Sequence, residues 1–186
     1  MASDDRQLLL GTHRGDATAA AALWSRHAGV LRAYARTVLG PRAASEAADD
    51  VVQSAFCAVL DSSESTLAAV LDVRAWLLRL ARHAALMHLR TARRELARRR
   101  HADRTPHVSP LSHAGVQSAV DALPRHWREV VVLRHVAGLS FDQLAAALSL
   151  PRSTVSSRYD RALRALRELL VPNAHATSLH QEPSHA

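Results

Sequence analysis

The chain has 186 residues, of which 48% are hydrophobic and 22% charged, with only six glycines and seven prolines. This composition excludes a disordered, collagen-like or fibrous chain and predicts a folded protein of one or two small domains. All 24 cationic side chains are arginines, and against 17 acidic residues they give a net charge of +7. A guanidinium pairs bidentately with phosphate or with a guanine edge, which the point charge of lysine cannot do.

The sequence argues against a secreted, membrane-spanning or catalytic protein. The single cysteine, Cys57, leaves no partner for an intramolecular disulfide and excludes a thiolate zinc site. It follows Phe56 in an apolar segment, so we expect a buried, unreactive thiol. No apolar stretch approaches the roughly 18–20 residues that cross a bilayer, which predicts a cytoplasmic protein without membrane insertion. No catalytic or metal-ligating constellation is present, so we predict no enzyme activity, no metal and no cofactor.

Hydrophobic periodicity is helical almost throughout, and alanine, leucine and arginine dominate, so we predict an all-α fold. The segments predicted in chain order are an N-terminal extension over 1–16, helices over 17–39, 45–59 and 73–100, and a polar loop from 62 that holds at most a short helical turn before 72. Gly40-Pro41 is the breaker that ends the first of these helices.

The composition changes between two helical blocks, which predicts two domains. Residues 101–115 hold two prolines and one glycine and have no apolar period, as expected of a flexible linker. We therefore expect one helical domain over 17–100, a smaller one over 116–171 and a disordered tail over 172–186. A domain as small as the second buries only about 60% of its unfolded surface, so it is a natural candidate for docking onto something larger.

The strongest local pattern, over 138–163, is that of a helix-turn-helix. Gly138 can adopt the left-handed conformation that ends a helix, and Ser140 with Gln143 three residues later forms a capping box for the next one. Pro151 cannot continue that short helix but suits the first turn of the helix that follows.

The second helix of this motif has one apolar and one polar face. Val155, Tyr159 and Leu166 belong to a stripe at helical spacing, and the polar face is free to enter the major groove of DNA. The candidate DNA contacts are Arg152, Ser153, Thr154, Ser156, Ser157, Arg158 and Arg161. An ordinary helical hairpin with a solvated basic face would also carry arginines, but it would not require the capping box and the proline turn together.

A second basic surface is predicted on the helix over 73–100. At about 100° per residue, its arginines fall within an arc of about 120°, opposite the alanines and leucines. These arginines are Arg79, Arg82, Arg90, Arg93 and Arg94. A phosphate backbone is the partner that best suits such a stripe, through counterion release and bidentate contacts. A solvated face or an acidic protein partner is the alternative.

Four segments carry a resemblance to a known family. They are LWSRHAGVLRAYARTVLG (23–40), ADDVVQSAF (48–56), RAWLLRLARHAALMHLR (74–90) and LPRHWREVVVLRHVAGLSFDQLAAALSLPRSTVSSR (123–158). In this order and spacing they resemble regions 2 and 4 of bacterial RNA polymerase sigma factors of the extracytoplasmic-function (ECF) group. The resemblance implies a transcription initiation factor that binds core RNA polymerase and directs it to promoters through the −10 element (region 2) and the −35 element (region 4).

The resemblance also implies roles for individual residues. Contacts to the clamp of the polymerase's largest subunit would come from Asp49, Asp50, Val52, Gln53 and Phe56. Val52 and Phe56 could equally belong to the core, and we expect this of Phe56. Contacts near the −10 element would come from Arg79, Arg82, His83, Arg90, Arg93 and Arg94, beside a loop over 61–72 that holds a flipped base. Region 4 would meet the −35 element with its second helix and the polymerase flap with its outer surface. An anti-sigma factor is a further partner of such proteins.

Five positions depart from the family pattern. His83 and Met87 stand where the family usually has asparagine and aspartate, and Ser153, Ser156 and Asp160 replace its common glycine, lysine and histidine. Two other readings therefore stay open. One is an ordinary helix-turn-helix regulator that binds duplex DNA without polymerase, and the other is a sigma-like adaptor that binds polymerase without reading DNA.

Overall fold

The computed structural model describes residues 2–40, 45–99 and 116–170. Within these residues the regular structure consists of nine helices, which confirms the all-α prediction. The helices are α1 (Ala2–His13), α2 (Ala17–Leu39), α3 (Ser45–Leu60), α4 (Glu64–Ala68), α5 (Val73–Arg99), α6 (Val116–Ala122), α7 (Arg125–His135), α8 (Phe141–Leu148) and α9 (Arg152–Leu170). The predicted linker over 101–115 and tail over 172–186 lie outside the described residues.

The predicted bounds of the long helices are confirmed where local chemistry sets them. The carboxylate of Asp16 accepts hydrogen bonds from the backbone N–H of Thr18 (2.8 Å) and Ala19 (3.1 Å), which caps α2. The same helix ends at Gly40, whose φ of 89° is open to glycine but strained for other residues.

One of the two short helices of the first domain, α4, takes the place where the sequence allowed at most a short helical turn, and the other, α1, was not predicted. The polar run after residue 62 contains the cap of α4, because the Ser63 hydroxyl accepts a hydrogen bond from the Thr66 N–H (3.3 Å), and Leu67 is fully buried. The segment predicted only as an N-terminal extension forms α1, which inserts the fully buried Leu9 into the core. The five residues of α4 are too few for a periodic signal, whereas α1 has 12 residues and also packs Leu8 and Leu10 against the core.

The two predicted domains pack directly against each other. Helices α1, α2, α3 and α5 surround a core to which α7 and α8 also contribute, so a single apolar cluster crosses from one domain to the other. Fully buried members from the first domain include Leu23, Leu31, Val59 and Leu77, and those from the second include Val130, Leu133 and Leu144. A smaller cluster between α6, α7 and α9 belongs to the second domain alone and includes Val120, Leu123, Val132, Ala162 and Leu166.

Two glycines allow a matched test of how α1 packs on α2. A Cβ built at Gly11 would lie 2.8 Å from the Cβ of Ala19, whereas one built at Gly29 meets nothing within 4 Å. We expect Gly11→Ala to lower the free energy of unfolding by about 1–2 kcal/mol, because overpacking outweighs the gain in helix propensity. Gly29→Ala should raise it by about 0.5–1 kcal/mol. Equilibrium urea unfolding of the two variants checks the prediction, and changes of the same sign would contradict it.

Stability should depend on pH through His27. This side chain is buried, with Nε2 3.2 Å from Oδ2 of Asp5, and burial lowers its pKa below the usual 6.5 even though Asp5 opposes the shift. The unfolded chain therefore binds more protons, and stability falls as the pH drops from 6.5 through the lowered folded pKa. We expect the melting temperature of His27→Gln to fall less than that of the wild type between about pH 7.5 and about pH 5.5. His88→Gln, at an exposed position, should follow the wild type.

Candidate nucleic-acid interface

Local chemistry builds the helix-turn-helix as predicted. The hydroxyl of Ser140 accepts a hydrogen bond from the N–H of Gln143 (3.2 Å), and the Gln143 side chain accepts one from the Ser140 N–H (2.6 Å). Gly138 has a φ of 67°, and Ser149, at the end of α8, is also left-handed with a φ of 54°. Pro151 directly precedes α9. Gly138 therefore serves the connection that leads into α8, whereas the turn between α8 and α9 is made by the left-handed Ser149 and by Pro151.

The predicted DNA-contacting residues lie on the outer side of α9, because Val155, Ala162 and Leu166 face the core. Exposed members are Arg152, Ser153, Ser157 and Arg161, and the partly exposed ones are Thr154, Ser156 and Arg158. Arg152 lies 3.1 Å from a carboxylate oxygen of Asp142, but both side chains are mostly exposed, so the ion pair is weak and the guanidinium remains accessible to a phosphate.

An aromatic cluster at the centre of α9 supports this helix and was not predicted. The ring of Tyr159 packs edge-on to Phe141, with centroids 5.5 Å apart, and its hydroxyl lies 2.9 Å from Nε2 of His135. The guanidinium of Arg134 lies 5.2 Å from the centre of the Phe141 ring. These contacts tie α9 to both α7 and α8, so the polar face is presented on a rigid support.

The second basic surface is α5, and five of its six predicted contacts are free to meet a phosphate backbone. The exposed residues are Arg79, His83, Arg90, Arg93 and Arg94. Arg82 differs, since it is partly buried and its Nε donates a hydrogen bond to Glu129 of α7 at 2.8 Å. Met87, beside this face, is exposed, and its sulfur lies 3.7 Å from a guanidinium nitrogen of Arg90.

The loop predicted to hold a flipped base borders an open cleft of about 520 Å³. The first domain contributes the α4–α5 connection with Val70, Leu71 and Asp72, and the ring of Trp76. Leu71 is 89% exposed at its rim, and Asp72 caps α5 by accepting a hydrogen bond from the Ala75 N–H (2.8 Å). Two alanines of α8, Ala146 and Ala147, form the opposite wall.

Helix α1 holds the start of this loop in place, a role that sequence reasoning missed. The guanidinium of Arg6 donates to the backbone carbonyl of Ala68, at the end of α4. Arg14 forms an ion pair with Glu64, in the first turn of α4, and this pair lowers the pKa of the Glu64 carboxyl. In the sequence, this role could be inferred only from the two arginines on either side of the Leu8–Leu10 run. Their spacing does not indicate that Arg14 pairs with Glu64, 50 residues further along the chain.

The predicted polymerase-contacting face on α3 is only partly exposed. Asp49, Asp50 and Gln53 are exposed, and Asp49 accepts a hydrogen bond from Arg32 of α2. The assignment of Val52 as a surface contact is wrong in this structure, because the residue is completely buried in the core. Phe56 is partly buried against Trp24, with ring centroids 4.7 Å apart.

The expectation of a buried Cys57 is also wrong, because the thiol is exposed on the same side of α3 as Asp50 and Gln53. The apolar side chains around Cys57 in the sequence point into the core, whereas Cys57 lies on a different face of the helix.

Among the residues that the structure describes, no group of three or more histidine, cysteine, aspartate and glutamate side chains could hold a metal ion. None of the described helices is long and apolar enough to cross a membrane.

Comparison with known proteins identifies the two domains that carry the basic helical surfaces. The family description Sigma-70 region 2 matches residues 23–95, and Sigma-70, region 4 matches residues 119–168. The ECF RNA polymerase sigma factor SigL of Mycobacterium tuberculosis is 30% identical over 165 residues, which cover 84% of this chain and 92% of SigL. The ECF RNA polymerase sigma factor SigE of Mycolicibacterium smegmatis is 37% identical over 65 residues, which span 35% of this chain but only 25% of that relative.

Two solved structures have the same arrangement of helices. CnrH, solved in complex with the cytosolic domain of CnrY, superposes with a TM-score of 0.63 at 30% identity, covering 90% of this chain and 97% of CnrH. The sigma factor RpoE from Bartonella quintana, solved in complex with the anti-sigma factor NepR, gives a TM-score of 0.59 at 25% identity over 77% of this chain and 91% of RpoE.

The two matched regions, each carrying one of the basic helical surfaces, define a protein of the sigma-70 class. Within that class, the chain belongs to the ECF RNA polymerase sigma factors and is a transcription initiation factor. The family and the general function predicted from the sequence motifs are thereby confirmed. We call the parts built on α1–α5 and α6–α9 region 2 and region 4 from here on.

Proposed function

We propose that this chain binds core RNA polymerase and directs it to promoters by holding two DNA elements at once. The observation that carries the proposal is that both sigma-70 regions occur in one chain, each with an accessible arginine-rich helix. In region 4, α9 enters the major groove of the −35 element, and its N-terminal residues Arg152, Ser153 and Ser156 are the nearest to the base edges. Arg158 and Arg161 lie further along the same helix, about 1.7 and 2.5 turns after Arg152.

In region 2, the exposed face of α5 follows the phosphates of the −10 element. Arg79, Arg90, Arg93 and Arg94 supply the charge, and the neighbouring cleft beside Leu71 receives an unpaired base. The lining of this cleft is mostly apolar, which suits the face of a base that has left its stack. His83 is exposed on the same helix and lies beside the single strand, at a position where the family usually has asparagine.

We propose that polymerase meets region 2 on the acidic and polar face of α3. Asp49, Asp50 and Gln53 are exposed there, and a carboxylate pair of this kind complements a basic surface on the partner. Phe56 packs against Trp24 and supports this face, and it does not contact the polymerase directly. Region 4 meets the polymerase flap with the surface that α9 does not offer to DNA.

CnrH was solved in complex with the cytosolic domain of CnrY, and RpoE in complex with the anti-sigma factor NepR. We propose that this chain is likewise controlled by an anti-sigma factor, that it acts in the cytoplasm, and that it has no catalytic activity of its own. The reaction chemistry belongs to the polymerase.

Transcription from a template library with randomised upstream sequence tests the proposal. Core RNA polymerase with the purified chain should select a subset of templates and start them at defined positions, whereas core polymerase alone should not. Selective binding of the chain to duplex DNA without polymerase, and no directed starts, would identify an ordinary regulator. Binding to polymerase without directed starts would identify an adaptor.

A further inference from the structure

We propose that region 4 reads the 5-methyl group of a thymine in the −35 element through an open depression beside the start of α9. The depression has a volume of about 360 Å³ and is lined by Phe141, Arg152, Ser153 and Ser156. The proposal deepens the proposed function and rests on it, in that it takes α9 to enter the major groove. It adds the base feature that this part of the surface recognises, and it gives Phe141, which is not among the predicted contacts, a role in reading DNA.

The depression lies at the end of α9 that comes closest to the base edges. Ser153 lies in the first turn of the helix and Ser156 in the second, and both line the depression. In a helix that enters the major groove, the N-terminal residues are the ones that reach the base edges. We therefore expect the group that fills the depression to belong to a base edge.

The ring of Phe141 forms the apolar wall of the depression and is held from two sides. Tyr159 packs edge-on against it, with ring centroids 5.5 Å apart, and the guanidinium of Arg134 lies 5.2 Å from the ring centre. Phe141 is nevertheless only partly buried, and it lines the depression. The ring is thus a preformed apolar contact, which a ligand meets at little cost in side-chain entropy.

The charges around the depression favour a neutral occupant over a phosphate. Of the described residues that line it, only Arg152 is charged, and its Nε lies 3.1 Å from a carboxylate oxygen of Asp142. The two opposite charges offset each other, although both side chains are largely exposed and the pair itself is weak. The Arg152 guanidinium can meet a phosphate from the rim, which leaves the depression itself to a neutral group.

Among the neutral groups of the major groove, the thymine methyl group is the one that this lining distinguishes. A serine hydroxyl both donates and accepts hydrogen bonds, so Ser153 and Ser156 can pair with any base and select none. Thymine is the only one of the four bases that presents a methyl group in the major groove, and phenylalanine is a side chain that contacts it. Phe141 therefore adds the selectivity that the two hydroxyls lack.

Uracil substitution tests the proposal, because uracil differs from thymine only in lacking the 5-methyl group. Duplexes are selected from a random pool by the full chain, both alone and bound to core polymerase. Each thymine of the selected −35 element is then replaced by deoxyuridine, one at a time. At one thymine, or at two neighbouring ones, affinity should fall about fourfold, which corresponds to the loss of one buried methyl group. At the same position, 5-methylcytosine should bind more tightly than cytosine.

Two variants connect the effect to the depression. Phe141→Ala removes the apolar wall, and Ser156→Gln fills the depression with a neutral polar group, so each should bind the thymine and uracil duplexes equally well. The matched control Ser118→Gln makes the same change at a partly buried serine of α6, outside the depression, and should keep the fourfold preference expected of the wild type. A general loss of affinity cancels in the ratio of the two duplexes. Ser156→Gln leaves the aromatic cluster intact, so it keeps the test valid if Phe141→Ala fails to fold.

Equal affinity of the wild type for every uracil duplex would overturn the proposal, and so would a thymine preference that persists in both Phe141→Ala and Ser156→Gln. A thymine preference of the free chain, without directed starts from polymerase, would refute the proposed function and leave the methyl contact intact. Directed starts without any thymine preference would refute only the methyl contact. A pool from which neither form selects any duplex would overturn both.

Discussion

Arg161→Ala should weaken recognition of the −35 element by the polymerase complex by about 1–3 kcal/mol. The side chain is exposed on α9, next to the buried Ala162, which anchors the helix from its other face. Loss of a guanidinium that reads a base edge should lower affinity for the selected promoters but not for unrelated DNA. Loss of one that holds a phosphate should lower affinity for all sequences alike.

Promoter binding measured on a selected template and on a scrambled one separates these two outcomes. Arg167→Ala is the matched control, since it removes an exposed arginine from the far end of the same helix. If Arg161→Ala binds both templates as Arg167→Ala does, α9 does not dock in the major groove as proposed.

Replacing Arg93 and Arg94 together with glutamine should make the salt dependence of promoter binding less steep by about 1.4–1.8 in log–log slope. Each arginine that contacts a phosphate releases a counterion, at roughly 0.7 per phosphate on single strands and 0.9 on duplex DNA. Both side chains are exposed on α5. The affinity loss should therefore be largest at low salt and shrink as salt rises.

Arg26→Gln with Arg167→Gln supplies a control of equal charge. Both arginines are exposed; the first pairs with Asp4 and Asp5, and the second lies at the far end of α9. Titration of the polymerase complex against salt should give the wild-type slope for the control pair. An unaltered slope for the Arg93 and Arg94 pair would mean that this end of α5 does not touch DNA.

Local chemistry explains which parts of the structure could be predicted from the sequence. The bounds of α2 and the turn between α8 and α9 depend on Asp16, Gly40, the capping box of Ser140 and Gln143, and neighbouring residues, and all of them were predictable. The polar faces of α5 and α9 follow from helical periodicity alone. The family motifs then gave these faces a function that periodicity could not.

Contacts between distant segments explain what could not be predicted. Glu129 meets Tyr34 and Arg82 across 95 and 47 residues of chain, and no local pattern links these positions. The docking of region 4 on region 2 was therefore missed, although the small size of region 4 suggested that it needed a partner surface. Val52 and Cys57 were misplaced for a simpler reason, since a rotation of about 100° per residue decides which side of α3 is buried.

The most direct test of whether one chain binds the −35 and −10 elements at once uses a selected template with an insertion between them. The measurement is the yield of transcripts that start at the defined position. An insertion of about 5 base pairs turns one element to the opposite side of the duplex, because a helical turn takes about 10.5 base pairs. If one chain holds both elements while bound to polymerase, initiation should fall to the level of core polymerase alone. If transcription on the lengthened template starts at the same position and with the same yield, then one chain does not hold both elements at once.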